Sequence, residues 1–157
     1  MKFKPLLLLL CFAAACSPKP GPEKTDVLPM EGTWKLISGT LIEKGDTVVT
    51  RYDKDQSFIK VINKTHFAFL LHDLKSGKDT SKALFSAGGG TYTLKDTIYT
   101  EHLEYCSDRA WEGHNFPFTI SFKGDTLIQM GVEKIEAQGI DRLNIEKYVR
   151  FNPEHAH

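Results

Sequence analysis

Short runs of alternating apolar and polar residues follow one another from residue 33 to residue 151, separated by turn residues. This two-residue alternation is typical of β-strands, whereas apolar residues repeat about every 3.6 positions in a helix. No stretch shows sustained helical periodicity with caps, and only VEKIEAQG at 132–139 is compatible with a helical turn. The pattern predicts eight to ten strands, near 33–42, 46–53, 56–63, 65–73, 82–94, 97–106, 116–123, 125–133 and 142–151.

Three junctions between these runs share one design, with a Gly-Asp or Lys-Asp pair before a threonine: KGDTVV at 44–49, LKDTIY at 94–99 and KGDTLI at 123–128. Such pairs favour tight hairpins, so we expect neighbouring strands to be antiparallel. An all-β chain of this length forms a sandwich or a closed meander, and sequential hairpins favour closure because it removes exposed edges. We therefore predict an all-β, antiparallel up-and-down barrel.

Three consecutive glycines lie in FSAGGGTYTLKD, residues 85–96, and allow two interpretations. A phosphate-binding loop needs a helix after the glycines, but TYTL at 91–94 favours a strand and the known phosphate-loop spacings are missing. Glycine inside a strand instead marks a bend, a bulge or the close approach of another backbone. We expect Gly88, Gly89 and Gly90 to bend a long strand and to leave room at the barrel wall.

The first sixteen residues, MKFKPLLLLLCFAAAC, contain two lysines, an apolar run and three alanines before Cys16. The apolar run is too short to cross a bilayer, so it predicts a secretory signal peptide. Small residues before Cys16, with Ser17 after it, resemble the lipobox of bacterial lipoproteins, although Leu is more usual in place of Ala13. The resemblance implies a signal peptide over 1–15 and acyl chains on Cys16 that hold the protein on a membrane. An ordinary cleaved signal with an unmodified Cys16 is the alternative.

The rest of the chain divides into three segments. Residues 17–29 contain four prolines and little apolar content, so we interpret 16–30 as the lipidated cysteine and a flexible tether. Residues 31–152 have the length of one domain and form the predicted barrel, followed by a short tail at 153–157.

Charge and cysteine content narrow the class of protein further. Without residues 1–15 the chain has 18 basic and 20 acidic residues, and nothing in their arrangement indicates nucleic-acid binding. Cys106 is the only cysteine of the domain, so an intramolecular disulfide is excluded unless Cys16 escapes lipidation. Because no acidic run of the kind expected in a surface-exported lipoprotein follows Cys16, we expect the domain on the periplasmic face of the outer membrane, with the cell surface as the alternative. We also expect a monomer.

Both ends of the domain resemble known barrels. EGTWKLISG at 31–39 contains the G-x-W motif that opens lipocalins and fatty-acid-binding proteins, and EKYVR at 146–150 resembles their last strand. The resemblance implies that Arg150 packs across Trp34 and closes one end of a lipocalin/fatty-acid-binding-protein-like barrel. If Trp34 points inward, alternation places four further side chains on inner faces: Leu36, Ser38, Glu146 and Tyr148.

Two internal segments extend the resemblance. HFAFL at 66–70 and FSAGGGTYTLKDTIYTEHLEYC at 85–106 are similar to the small lipocalin-like lipoproteins of Bacteroidetes, many of them domains of unknown function. Together with the ends, the resemblance covers most of residues 31–151 and implies a calycin-type barrel. It implies neither a reaction nor a ligand.

Alternation along TIYTEHLEYC, residues 97–106, separates two faces. The face predicted to point inward is aromatic with one acid: Tyr99, Glu101, Leu103 and Tyr105. The face predicted to meet solvent carries more charge: Ile98, Thr100, His102, Glu104 and Cys106. A buried Glu101 needs hydrogen-bond donors or a cation, and the candidates are Tyr99, Tyr105, Arg51, His66 and Arg150.

These residues predict a polar anchor inside an apolar pocket, the usual design of a small-ligand site. We expect Tyr92, Tyr99, Glu101 and Tyr105 to line it, with His66 within hydrogen-bonding reach. A structural network without a ligand is the alternative.

The longest irregular stretch is SDRAWEGHNFPF at 107–118, which contains Arg109, Trp111, His114 and Phe116. Loops at barrel mouths commonly carry recognition, which favours a ligand-binding role for Arg109 and Trp111. A connection anchored in the core by Trp111 is the alternative.

Catalytic and metal-binding arrangements are not evident. His66 and His72 would lie about 20 Å apart on one strand, too far to share a metal. His102 and Cys106 would lie about 13 Å apart with no residue to orient them. We therefore expect no metal, no cofactor and no enzymatic activity. The expected function is a lipid-anchored envelope protein that binds a small, partly apolar ligand; the alternative is an interaction module with a side-chain-filled barrel.

Overall fold

A computed structural model describes residues 29–151; the predicted signal peptide, Cys16, most of the tether and the tail lie outside them. The described residues form nine strand segments: β1 Gly32–Glu43, β2 Asp46–Arg51, β3 Gln56–Ile62, β4 His66–Asp73, β5 Phe85–Lys95, β6 Ile98–Cys106, β7 His114–Lys123, β8 Thr126–Ile135 and β9 Ile140–Arg150. Two 3₁₀ turns, Arg109–Trp111 and Glu136–Gln138, precede β7 and β9. Within residues 29–151 no helix is long and apolar enough to span a bilayer.

The segments close into an eight-stranded antiparallel up-and-down barrel. β2 pairs with β1 along residues 38–43, and β3 pairs with β1 along 32–35, so β2 and β3 act as one interrupted strand. The later strands pair in chain order, and β9 returns to pair with β1 from Trp34 to Ile42. The predicted all-β, lipocalin/fatty-acid-binding-protein-like barrel is confirmed.

The three repeated junctions are tight hairpins, as their dipeptides predict. Lys44 and Gly45 connect β1 to β2 with φ angles of 51° and 91°, the positive pair that a type I′ turn requires. Asp96 and Gly124 occupy the other two turns with φ angles of 54° and 57°. Each turn therefore reverses the chain within two residues and sets the register of the strands beside it.

Trp34 and Arg150 seal one end of the barrel. They face each other in the register of β1 and β9, and the Arg150 guanidinium carbon lies 4.4 Å from the Trp34 ring centroid. Arg150 also donates hydrogen bonds to the carbonyl oxygens of Pro29 (2.7 Å) and Glu31 (2.8 Å). Trp34 is buried and donates through Nε1 to the Met30 carbonyl oxygen at 2.8 Å. The predicted contact is confirmed, and it fastens the chain before β1 to the closed end.

A bulge in β1 changes the inner face predicted for that strand. Leu36 pairs with Tyr148, but the next pair is Ser38 with Lys147, so Ile37 is an extra residue. Leu36 and Tyr148 are buried as predicted. The inward orientation predicted for Ser38 is wrong, because the bulge places Ser38 beside the exposed Lys147 and turns Gly39 inward.

A second bulge, in β6, reverses which side chains point inward at the end of that strand. Gly89 of β5 pairs with Tyr105 and Gly90 pairs with Leu103, which leaves Glu104 as the extra residue. Tyr105 is consequently 68% exposed, and the inward orientation predicted for it is wrong. Cys106, predicted to meet solvent, lines the interior instead.

The three glycines lie inside β5, opposite this bulge, and leave room for the neighbouring strands. A Cβ on Gly90 would collide with the His102 carbonyl oxygen, and one on Gly89 would lie 2.6 Å from that of Phe67. The Glu104 carboxylate accepts hydrogen bonds from the Thr91 backbone N–H (3.1 Å) and hydroxyl (2.7 Å). The glycines therefore leave room in the barrel wall, as predicted, and do not precede a helix. The bend expected of this strand stays a prediction.

Candidate ligand-binding cavity

The end of the barrel opposite Trp34 encloses a cavity of about 300 Å³. This volume lies at the lower end of the range for small-molecule sites and corresponds to about ten water molecules. Its walls are mainly aromatic and apolar: Phe58, Phe69, Leu103, Trp111, Phe116 and Phe118. Its polar lining combines charged and neutral groups: Lys60, Ser86, Glu101, Cys106, Asp108, Gln129, Glu133 and Glu146.

The two halves of the barrel differ because large side chains fill only one of them. Trp34, Tyr99, Leu127 and Tyr148 are fully buried in the core cluster and do not line the cavity. Further along the same inner faces, Glu101 follows Tyr99 and Gln129 follows Leu127 at the two-residue interval of a strand. On these two strands the inner face therefore changes from apolar to polar, and Gln129 Nε2 lies 3.5 Å from Glu101 Oε1.

Lys60 and Glu101 form a buried ion pair that crosses the barrel from β3 to β6. Lys60 Nζ lies 2.7 Å from Glu101 Oε1, and their exposed fractions are 3% and 7%. Lys60 also donates to Gln129 Oε1 at 3.2 Å and lies 3.7 Å from Glu146 Oε2. Burial acts to lower the pKa of Lys60, but the carboxylates of Glu101 and Glu146 outweigh it and raise that pKa. Lys60 is therefore positively charged in the folded protein.

Sequence reasoning did not place Lys60 among the partners of Glu101. The signal was available, because Lys60 lies two residues from both Phe58 and Ile62 in SFIKVI and so shares their face. A lysine on an otherwise apolar strand face needs a buried anion, and Glu101 is that anion.

Burial raises the pKa of Glu101, while the neighbouring Lys60 acts to lower it. The Tyr99 hydroxyl beside it is buried and has no hydrogen-bond partner among the described residues. Burial first, and the charge of Glu101 second, raise the pKa of Tyr99 well above its ordinary value. Tyr99 is therefore a neutral group beside Glu101, in the wall below the cavity.

A second ion pair supports Trp111 at the mouth. Arg142 Nε lies 2.7 Å from Glu133 Oε2, and Asn144 donates to the other carboxylate oxygen at 2.8 Å. The Arg142 guanidinium carbon lies 5.1 Å from the Trp111 ring centroid, and the Phe116 ring lies 5.6 Å away. These contacts hold the Trp111 ring against the cavity, in agreement with the predicted place of this loop.

Arg109, the other loop residue predicted to bind ligand, does not line the cavity. Its exposed side chain pairs with Glu112, with Nε 2.7 Å from Oε2. The other oxygen of Glu112 accepts a hydrogen bond from the Cys106 backbone N–H at 2.9 Å. The Arg109 and Glu112 pair thus fastens the loop to the end of β6.

The remaining predicted pocket residues are dispersed. Tyr92 packs against Tyr99, with ring centroids 5.2 Å apart, and its hydroxyl donates to the Asn63 carbonyl oxygen at 2.8 Å. Neither Tyr92 nor Tyr99 lines the cavity. The proximity predicted for His66 is wrong: it lies exposed on the outer face of β4, with Nδ1 2.7 Å from the Thr65 hydroxyl. Glu101 and Trp111 are the predicted residues that reach the cavity.

The residues considered for metal binding or catalysis also lie apart from one another. His66 and His72 lie on the outer face of β4, and His102 Nδ1 lies 2.6 Å from Asn115 Oδ1. Burial raises the pKa of the Cys106 thiol, which disfavours a nucleophilic thiolate. Across residues 29–151 no three His, Cys, Asp or Glu side chains are grouped as metal ligands would be.

Replacing Tyr99 with phenylalanine is expected to leave the free energy of unfolding at pH 7 unchanged, or to raise it by up to about 1 kcal/mol, because the buried hydroxyl has no partner. The raised pKa of Tyr99 stabilises the fold fully below about pH 10, the unfolded value, and this contribution is lost as the pH rises. Above about pH 10, the free energy of unfolding of the wild type should therefore fall by about 1.4 kcal/mol per pH unit because of Tyr99. In Tyr99→Phe this contribution to the pH dependence should be missing. Urea unfolding at about pH 7 and pH 11 measures the difference; identical pH slopes would contradict it.

Comparison of the chain with models of known protein families and with curated proteins finds no match. The resemblance to lipocalin-like lipoproteins therefore stays a prediction; what the structure shows is the barrel topology and the contact between Trp34 and Arg150.

Proposed function

We propose that this chain is a lipid-anchored protein of the cell envelope whose barrel binds a small, partly apolar molecule. The cavity of about 300 Å³ carries the proposal, because it combines aromatic walls with buried polar groups at its base. An apolar part of the ligand would contact Phe58, Phe69 and Phe116, while Glu101 and Gln129 would fix its polar group. Few convergent polar groups in an apolar concavity are the usual composition of a small-molecule site.

The membrane anchor is proposed from the sequence, since Cys16 lies outside the described residues. The position of Pro29 is consistent with it, because Pro29 contacts Arg150 at the closed end of the barrel. A tether attached there leaves the cavity mouth accessible. Metabolic labelling with a clickable fatty acid should mark the wild type and not Cys16→Ala; label retained in Cys16→Ala would contradict the lipobox interpretation.

Ligand binding can be followed through Trp111, because the chain has only two tryptophans and Trp34 lies at the other end. In a Trp34→Phe background, an uncharged naphthalene derivative should change Trp111 fluorescence in a saturable way. Ser86→Phe, which places a ring in the cavity, should abolish the change, whereas Thr93→Phe on the exposed face of the same strand should not.

Native mass spectrometry of the purified domain should detect a co-purifying small molecule.

Carboxylate variants test the orientation of the site. Glu101→Gln should weaken binding of the co-purified molecule, or of the naphthalene derivative if none is found, by about 1–3 kcal/mol. Glu104→Gln should have almost no effect, because Glu104 bonds Thr91 on the outer face. Equal affinities for Glu101→Gln and the wild type would exclude Glu101 from the site.

A protein-interaction module is the second candidate, favoured by apolar side chains on the outer face of β4 to β6. Phe85 is 70% exposed, and Leu70 and Tyr105 are exposed near it, beside the strip of glycines. Exposed apolar patches of this kind commonly mark interaction surfaces. Absence of any binding inside the barrel would favour this function over ligand binding.

A further inference from the structure

The cavity contains more carboxylates than cations. Four carboxylates line it: Glu101, Asp108, Glu133 and Glu146. Among the described residues that line it, Lys60 is the only cation, and Arg142, outside the lining, pairs with Glu133. Negative charge therefore exceeds positive charge in a partly closed, largely apolar space.

The contacts locate the excess charge at the base of the cavity. Both carboxylate oxygens of Glu133 already accept hydrogen bonds, one from Arg142 and the other from Asn144. Glu101 and Glu146 instead share Lys60, at 2.7 Å and 3.7 Å. One ammonium group compensates one carboxylate, so a second positive charge is missing there. A partly buried carboxylate such as Glu146 without a full counter-charge is unfavourable, which favours a ligand that supplies one.

Two carboxylate oxygens at this base accept no side-chain hydrogen bond of good geometry from the described residues, although the Tyr99 hydroxyl lies beside Glu101. Lys60 and Gln129 both bond Oε1 of Glu101, which leaves its Oε2 as an acceptor. The Tyr148 hydroxyl donates to Oε2 of Glu146 at 2.8 Å, which leaves its Oε1. A ligand nitrogen with several N–H groups can bond such acceptors, whereas an anion would be repelled by them.

The walls suit an organic cation. The rings of Phe58 and Phe69 are stacked 5.7 Å apart beside the base, and both line the cavity. Aromatic faces attract cations as well as apolar groups. Asp108, also in the lining, adds negative potential that attracts a positively charged ligand.

We propose that the cavity selects a small organic amine in its ammonium form, with the nitrogen at Glu101 and Glu146 and an apolar body against the aromatic walls. This inference rests on the proposed function and names the chemical class of its ligand. The volume of about 300 Å³ limits the ligand to a small molecule, such as one aromatic ring with a short aminoalkyl chain.

Three probes of nearly equal size test the proposal at pH 7: phenethylamine, 2-phenylethanol and phenylacetate. Each is titrated into the full domain and followed by calorimetry. Phenethylamine should bind about tenfold more tightly than the alcohol, the size of effect expected for one added charge-assisted contact, and phenylacetate should bind most weakly. Equal or tighter binding of the alcohol would overturn the amine preference while leaving the proposed function in place.

The variant Glu146→Gln tests whether the ligand nitrogen lies at Glu146. Glutamine keeps the volume and still accepts the Tyr148 hydroxyl, so the preference for phenethylamine over the alcohol should fall to within about twofold. Glu136→Gln, on the exposed turn before β9, should keep the full preference. A full preference in Glu146→Gln would overturn the assigned position of the nitrogen. If none of the probes, charged or uncharged, binds the wild type, both the proposed function and this inference are wrong.

Discussion

Replacing Trp34 with alanine is expected to lower the free energy of unfolding by about 3–5 kcal/mol, the usual cost of truncating a large buried aromatic residue. Trp34 is almost completely buried, lies beneath the Arg150 guanidinium and packs against Phe122 at 6.1 Å between ring centroids. Small domains have about 5–15 kcal/mol of stability in total, so this loss would leave the barrel marginal. Urea unfolding followed by circular dichroism measures it.

The matched control for this change is Trp34→Phe, which keeps an aromatic ring beneath Arg150 but loses the hydrogen bond to Met30. Its loss should be clearly smaller than that of Trp34→Ala. A loss below about 1 kcal/mol for Trp34→Ala would contradict the closing role assigned to the contact between Trp34 and Arg150.

Replacing Lys60 with methionine is expected to lower the free energy of unfolding by a similar amount, about 3–5 kcal/mol, for a different reason. Methionine fills most of the same volume, but the buried carboxylate of Glu101 and the partly buried one of Glu146 lose the cation that both face. The remaining buried charge, rather than lost packing, destabilises the variant. Urea unfolding at pH 7 gives the free-energy difference.

The charge explanation predicts a rescue. In the double variant Lys60→Met with Glu101→Gln, one of the two unpaired carboxylates becomes a neutral amide, so about half or more of the lost stability should return. Strictly additive losses in the double-mutant cycle would show that the stability of this region does not depend on the ion pair.

Local sequence signals predicted the architecture because they act over a few residues. Two-residue alternation and dipeptides such as Gly45-Asp46 set strand type and hairpin reversal without reference to distant parts of the chain. The contact between Trp34 and Arg150 was predictable for another reason: the resemblance to lipocalins supplied a pair that alternation could place on facing strands.

The site was predicted only in part, because side-chain orientation depends on every residue between a known point and the site. Two-residue alternation from Tyr99 placed Glu101 and Leu103 correctly on the inner face of the barrel. It failed at Tyr105, because the bulge at Glu104 shifts all later side chains by one position. His66 was misplaced without any bulge, since it shares the outer face of β4 with His72.

The sequence by itself determined that the chain forms antiparallel strands, where it turns, and which ends of the domain meet. Only the tertiary structure decided where the bulges fall; the bulge at Glu104 lies where Gly89 and Gly90 let the neighbouring strands approach closely. It also decided that Lys60 meets Glu101, residues 41 positions apart in the sequence. Barrel closure brings their two inner faces together, and the pairing of buried charge depends on distance in space rather than along the chain.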